Sequence, residues 1–207
     1  MKRFAFTMLE LVFVIIVIGI LAVLAMPNFR GHPLETAAEQ VASHIRYTQH
    51  LALVNDVYDP ISTHWNYARP QISFRECNDV ANDGHYYFVG SDKDYSTGHI
   101  AESESAIDPL TKKRLYWLNS QCNSDIYSER DQSLLLKQKY GVTVLPAANC
   151  NTISFDNMGR PYNTFSTTNP YVGQLANTCT ITLSHQDGNA TITVHPETGY
   201  VDVNYSN

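Results

Sequence analysis

The longest apolar block of the chain lies near its start, at residues 6–26. From Leu11 to Met26 it contains no polar side chain, and its beginning holds a single carboxylate, Glu10. A helix that spans a membrane needs roughly 20 mostly apolar residues. The block just reaches this length, so the pattern predicts a transmembrane helix over residues 6–26.

A second pattern follows and has the period of an amphipathic helix. Apolar and small residues recur at spacings of three, four and seven, with charged and amide side chains between them. These positions are Leu34, Ala38, Val41, Ile45 and Ala52. Pro27 removes a backbone donor and predicts a kink where the two patterns join. Together they predict one long N-terminal helix, with an amphipathic continuation over residues 27–55.

The remaining residues, 56–207, have the pattern of β-strands. Short runs rich in aromatic and β-branched residues alternate with turn-forming clusters. The predicted strands are residues 71–74, 85–89, 140–145, 152–156, 180–185, 190–195 and 200–205. Residues 51–58 predict the passage from the helix into a first strand. Asp187-Gly188-Asn189 and residues 196–199 predict tight hairpins, so we expect an antiparallel, β-rich globular domain.

Length and charge limit the organisation and the partners of this domain. The 207 residues leave room for the helix and one soluble domain with its own core. The formal net charge is −6, and it becomes −8 if Lys2 and Arg3 are removed with a leader peptide. Nonspecific nucleic-acid binding depends on neutralising phosphates with basic side chains. No nucleic-acid partner is therefore expected.

Four cysteines all follow the apolar block: Cys77, Cys122, Cys150 and Cys179. Their spacing does not match a metal knuckle, and an even number beyond such a block indicates two disulfides in an oxidising compartment. Sequence alone allows three pairings. We favour Cys77 with Cys122 and Cys150 with Cys179, because the second pair flanks two predicted strands.

No sequence pattern calls for a cofactor, a metal ion or a catalytic centre. The acidic groups within residues 79–83 and 92–94 lack the regular spacing of a calcium loop, so they are interpreted as turn residues. The eight histidines lack zinc-site spacing, and the chain has neither a phosphate-binding loop nor a nucleophile elbow. Asn189 and Asn204 stand in Asn-x-Ser/Thr patterns, for which chance is the favoured explanation. We expect a protein that is not an enzyme.

One alternative for the apolar block is a secretory signal peptide. The small residues Val23 and Ala25 suit cleavage after Ala25, which would release a periplasmic β protein. Two features count against it. Glu10 has no use in a discarded segment, and the helical pattern continues beyond Met26.

The residues around Glu10 resemble a known processing signal. The run Lys2-Arg3-Phe4-Ala5-Phe6-Thr7-Met8-Leu9-Glu10-Leu11, followed by an apolar helix and Pro27, is similar to the class III signal of type IV pilins and type II secretion pseudopilins. The resemblance implies a leader of residues 1–5, cleavage by a prepilin peptidase between Ala5 and Phe6, and N-methylation of Phe6. Ala5 occupies a position at which the family usually has glycine.

The same resemblance implies a fold and a role for Glu10. The expected fold is α+β and type IV pilin-like: a long N-terminal helix, part membrane stem and part amphipathic, packed on an antiparallel C-terminal β-sheet domain. Glu10 is expected to form an assembly salt bridge with the terminal amine of Phe6 in a neighbouring subunit. Such a pair gains about 4 kcal/mol at 4 Å, against several kcal/mol of desolvation per ion. Its expected value is therefore register and subunit order.

Two C-terminal segments, residues 153–161 and 194–201, are similar to short patterns in minor pseudopilins of the H type. The resemblance implies a minor pseudopilin with a single-pass inner-membrane helix and a periplasmic globular domain, assembled in or near the tip of a pseudopilus that supports protein export. Its implied partners are other major and minor pseudopilins, the prepilin peptidase and the inner-membrane assembly platform. A minor pilin of a type IV pilus or DNA-uptake system has the same anatomy and is an alternative.

Overall fold

The structure, a computed structural model, describes residues 8–25, 32–78, 84–95, 100–122 and 127–206. It divides into two compact units, Met1–His32 and Pro33–Asn207. The described helices are α1 Met8–Ala25, α2 Pro33–Val54 and α3 Leu136–Tyr140. The described strands are β1 Gln71–Glu76, β2 His85–Gly90, β3 Thr143–Pro146, β4 Thr152–Phe155, β5 Pro161–Tyr162, β6 Cys179–His185, β7 Gly188–Val194 and β8 Val201–Ser206.

The strands form two four-stranded antiparallel sheets. The first sheet has the order β2-β1-β4-β5, and the second has the order β3-β6-β7-β8. In the first, Ile72 of β1 pairs with Val89 of β2 and Ile153 of β4. In the second, Ile181 of β6 pairs with Ile192 of β7. All five side chains are fully buried, so the register brings branched apolar residues together in the core.

Helix α2 is the central element of the unit Pro33–Asn207. It begins at Pro33, where proline is favourable because the first N–H groups of a helix have no intrahelical acceptor. The predicted apolar positions lie on its buried face, and Val41 and Ile45 are fully buried. The helix contacts strands of both sheets. One helix face thus completes the hydrophobic core under the two sheets.

The predicted long N-terminal helix is wrong. The fold is α+β with antiparallel sheets, but the N-terminal patterns form separate helices, α1 with 18 residues and α2 with 22, which belong to different units. Hydrophobic periodicity identifies helical segments but does not show whether two consecutive segments are joined. Proline at the first position of α2 is a start signal for a new helix, and the prediction overlooked it.

The predicted single-pass inner-membrane anchor is also wrong. Across the described ranges, no helix is both long enough and apolar enough to cross a membrane.

Each strand predicted beyond residue 58 overlaps an observed strand, but the prediction for residues 140–145 begins too early, because Tyr140 ends α3 and β3 begins at Thr143. The strand expected to begin within residues 51–58 is not found. Helix α2 continues to Val54, and residues 55–58 form no strand. The apolar residues of 51–54 complete the last turn of the helix, so their β-type composition does not decide their conformation.

Candidate functional site

Helix α1 presents apolar side chains to solvent around its circumference. In residues 8–21 every large apolar side chain is exposed, from 37% for Val17 to 86% for Met8. A helix of a soluble protein typically buries an apolar stripe and exposes a polar face. Contiguous exposed apolar surface marks an interaction site. We call the side chains of residues 8–21 the α1 surface, and it is the first candidate functional surface.

Glu10 lies in the first turn of α1. A carboxylate is favourable there because the N-terminus of a helix carries a partial positive charge. Its side chain is exposed. Ala5, Phe6 and Pro27 lie outside the described residues, so the cleavage, the N-methylation, the kink and the salt bridge of Glu10 with a neighbouring Phe6 stay predictions.

Two disulfides cross-link the unit Pro33–Asn207, and they have the pairing favoured from the sequence. Cys77 is bonded to Cys122 with a Cα–Cα distance of 6.0 Å, and Cys150 to Cys179 with a distance of 5.7 Å. The second bond joins the segment before β4 to the start of β6, and therefore connects the two sheets. Disulfides of this kind indicate an oxidising compartment.

The two C-terminal segments that resemble pseudopilin patterns meet on α2. Gln49 Nε2 donates hydrogen bonds to the carbonyl oxygens of Gly159 and Thr198, each at 2.9 Å. Gly159 and Gly199 have φ angles of 78° and 64°, which favour glycine. A Cβ atom on Gly199 would lie 2.6 Å from Gln49 Nε2 and 2.7 Å from Gly159 O. We call these four residues the Gln49 junction.

The turn after β4 is held by Asp156, which is buried. Its Oδ1 accepts hydrogen bonds from the backbone N–H groups of Met158 and Arg160 at 3.0 and 2.9 Å. Its Oδ2 accepts from Arg160 Nε at 2.8 Å and from the Tyr162 hydroxyl at 3.2 Å. The hydrogen bond with Asp156 raises the pKa of Arg160. Both oxygens of the Asp156 carboxylate are therefore occupied by hydrogen bonds from this turn and from Tyr162.

A buried polar cluster joins α2 to β2. Gln40 Nε2 donates to the Tyr87 hydroxyl at 2.8 Å, and this hydroxyl lies 2.7 Å from His44 Nδ1. Burial lowers the pKa of His44, although the charges of Asp108 and Asp131 act in the opposite direction. His44 is therefore neutral near pH 7.

Three carboxylates meet in the loop after β2. One carboxylate oxygen from each of Asp92, Asp94 and Glu104 lies within 4.8 Å of the other two. The Glu104 carboxylate accepts hydrogen bonds from the backbone N–H groups of Lys93, Asp94 and Ala101 at 2.7, 3.1 and 3.0 Å. Glu104 therefore closes this loop through backbone contacts.

Sequence reasoning did not single out Asp156, Glu104 or Arg69. The local spacing of Asp156 and Arg160 around Gly159 is a signal that could have been used, since it places the carboxylate over its own turn. The other two had no such signal. The Glu104 carboxylate accepts hydrogen bonds from the backbone of Lys93 and Asp94, which lie 11 and 10 residues earlier in the chain. The Nη2 atom of Arg69 donates to Pro170 O, 101 residues later in the chain.

Comparison with known proteins reveals no relative. No protein-family model, curated protein or solved structure matches the chain.

Proposed function

We propose that the chain is a minor pseudopilin-type subunit of a type II secretion pseudopilus, and that it joins the filament through the α1 surface. The observation that carries this proposal is the all-round exposure of apolar side chains on α1, in a protein whose other unit has a complete core. Its partners are the equivalent helices of other pseudopilins, and a prepilin peptidase generates its amino terminus at Phe6. The role is assembly, not catalysis.

The exposed apolar surface of α1 favours packing within a bundle of helices over binding in a groove of one partner. Twelve large apolar side chains of residues 8–21 are exposed, and burial of each stabilises by about 1.5–3 kcal/mol. A groove covers one side of a helix, whereas apolar residues on all sides are stabilised only when the helix is surrounded. Neighbouring copies of such helices in a filament core provide that environment.

Glu10 has a specific task in such a bundle. A carboxylate that is enclosed by apolar helices is strongly destabilising unless it meets a cation. The amine of a mature Phe6 lies only four positions earlier in the chain, so in a neighbour shifted along the filament axis it is a suitable partner. The pair fixes the axial register, because only one shift along the filament brings the amine of a neighbouring Phe6 to this carboxylate.

The Gln49 junction supports the pseudopilin assignment in the unit Pro33–Asn207. The segments 153–161 and 194–201 are far apart in the chain, yet both supply a carbonyl oxygen to one side chain of α2. Both resembling segments thus have a shared structural task, which is to dock the two sheets on α2. A coincidental resemblance of two hairpin turns does not require this contact.

The first test is the amino terminus of the processed protein. The full chain is coexpressed with a prepilin peptidase and its intact mass and N-terminal sequence are determined. We expect a start at Phe6 with a methylated amine. Processing of an Ala5→Gly variant serves as the positive control, because it restores the usual residue before the cut. A start at Met26 would contradict the proposal.

The second test is assembly. A photo-crosslinking residue at Ile15, on the α1 surface, is expected to give covalent adducts with other subunits in assembled filaments. The same residue at Leu110, which is 87% exposed in the other unit, is the matched control.

Glu10→Val should leave processing unchanged and reduce incorporation at least tenfold, and Glu10→Asp should restore part of it. Equal incorporation of Glu10→Val and the parent chain would remove the pairing role.

A further inference from the structure

We propose that the unit Pro33–Asn207 contains a carboxylate-binding pocket built on Arg69. This inference concerns a different unit from α1 and does not depend on the filament role. Arg69 is fully buried and follows the short 3-10 helix Trp65–Ala68. Buried arginines are normally paired with an acid, because an uncompensated buried charge is strongly destabilising.

The guanidinium of Arg69 has N–H groups that donate no hydrogen bond within the described residues. Its Nη2 donates to Pro170 O at 2.6 Å. Within the described residues, its Nε and Nη1 have no hydrogen-bond partner, although both atoms are buried. A buried donor without an acceptor costs about 1–3 kcal/mol, and more when the group is charged. These two N–H groups therefore call for an acceptor that the described residues do not supply.

Aromatic rings compensate only part of the charge. The guanidinium carbon of Arg69 lies 3.9 Å from the ring centre of Tyr162 and 4.8 Å from that of Trp65. Such contacts stabilise a cation through the faces of the rings and do not satisfy the in-plane N–H groups. The charge of Asp156 acts on Arg69, but the oxygens of this carboxylate are occupied by Arg160 and the surrounding turn. Burial lowers the pKa of Arg69, as expected for a cation that lacks an ion-pair partner.

Arg69 lines a cavity of about 90 Å³, together with Trp65, Tyr162, Arg160, Tyr58 and Tyr171. Pockets for drug-sized ligands have volumes of about 300–1,000 Å³. The cavity is therefore small for such a ligand and suits one small group.

A carboxylate fits this cavity better than a phosphate. A carboxylate is planar, accepts two parallel hydrogen bonds from a guanidinium and carries one negative charge. Phosphate groups carry nearly two charges near pH 7, and the cavity is also lined by Asp56 and Asp156. The geometry points to a single carboxylate, supplied by a small acid, by an acidic side chain or by a chain terminus.

The test compares acetate with its neutral isostere, acetamide, on the full-length protein. Binding is followed by ligand-observed NMR and by the shift of the unfolding temperature. We expect acetate to bind and to raise the unfolding temperature, and acetamide and inorganic phosphate to give neither effect. Equal responses to acetate and acetamide, or binding of phosphate alone, would overturn the proposal.

Two kinds of variant locate the binding. Arg69→Lys removes the fork of donors and is expected to weaken acetate binding about tenfold or more. Arg75→Gln, at an exposed arginine outside the cavity, is the matched control and should bind like the parent. If Arg69→Lys does not fold, Val57→Trp tests the pocket in its place. Val57 lines the cavity, so the larger tryptophan side chain should block acetate binding without removing a donor of Arg69. Acetate binding by Val57→Trp with unchanged affinity would refute the pocket.

The source of the carboxylate is determined with short peptides. Acetyl-Ala-Glu-Ala-amide offers a side-chain carboxylate, acetyl-Ala-Ala-Ala offers a terminal one, and acetyl-Ala-Ala-Ala-amide offers neither. Preferential binding of the first or the second peptide identifies a protein ligand and its type. Binding of acetate without either peptide identifies a small acid, and binding of none of these carboxylates rejects the inference.

Discussion

At His44 the cost of desolvating a charged imidazole exceeds the attraction of two nearby carboxylates, Asp108 and Asp131. The folded protein therefore binds this proton less readily than the unfolded chain, whose histidines have a pKa of about 6.5. The resulting stability is fully present above that pH. It is lost as the pH falls from about 6.5 through the lowered pKa of the folded state.

We predict that His44→Gln weakens this pH dependence. Glutamine keeps a polar group beside Tyr87 but takes up no proton. The decrease in unfolding temperature between pH 7 and pH 5 should be smaller than in the parent protein by about 2 °C or more. Thermal unfolding followed by circular dichroism measures it. His50→Gln, at an exposed position of the same helix, is the control, and an identical change in both variants would contradict the prediction.

Gly199 combines a left-handed backbone with a close contact. Gly199→Ala should destabilise the protein by about 2 kcal/mol or more, because alanine is strained at positive φ and its Cβ would displace Gln49. Chemical denaturation gives the free energy of unfolding. Gly19→Ala is the control, since a Cβ on Gly19 meets no atom within 4 Å. A loss no larger at Gly199 than at Gly19 would show that the Gln49 junction is not required.

Among the elements, β-strands and the buried face of α2 were predictable, because period and composition are local properties. Val41 and Ile45 recur at the helical spacing and are buried as expected. The join between α1 and α2 was not predictable from periodicity, since a break leaves both patterns intact. The environment of Arg69 was not predictable either. Its contacts with Tyr162 of β5 and with Pro170 depend on the packing of segments that are distant in the chain.

The bond between Cys150 and Cys179 connects elements of different sheets, and its loss should be costly. It closes a loop with a sequence separation of 29 residues. Loops of this length correspond to about 3–4 kcal/mol of stabilisation in the chain-entropy description. We predict that the double variant Cys150→Ser, Cys179→Ser loses this amount in chemical denaturation, with the bond between Cys77 and Cys122 verified by mass spectrometry. A loss below about 1 kcal/mol would argue against this role.

In the molecule as a whole, the unit Pro33–Asn207 contains the whole of the buried hydrophobic cluster found in the described residues. A chain that begins at Pro33 should therefore fold alone and form both disulfides. Its unfolding temperature should lie within about 2–4 °C of that of the full chain, which corresponds to about 1 kcal/mol. Calorimetry of both chains tests this. A broad, non-cooperative transition in the shorter chain would show that residues 1–32 are needed for the core.

The position of α2 also determines when folding can be completed. Arg46 of α2 donates a hydrogen bond at 3.0 Å to the carbonyl oxygen of Val201, 155 residues later in the chain. Contacts of such large sequence separation require closure of long loops and slow the search for the native state. While the chain is being synthesised, the part of α2 that contacts β7 and β8 stays uncovered until these late strands have been made. Folding of this unit is therefore completed only after its last strand has been synthesised.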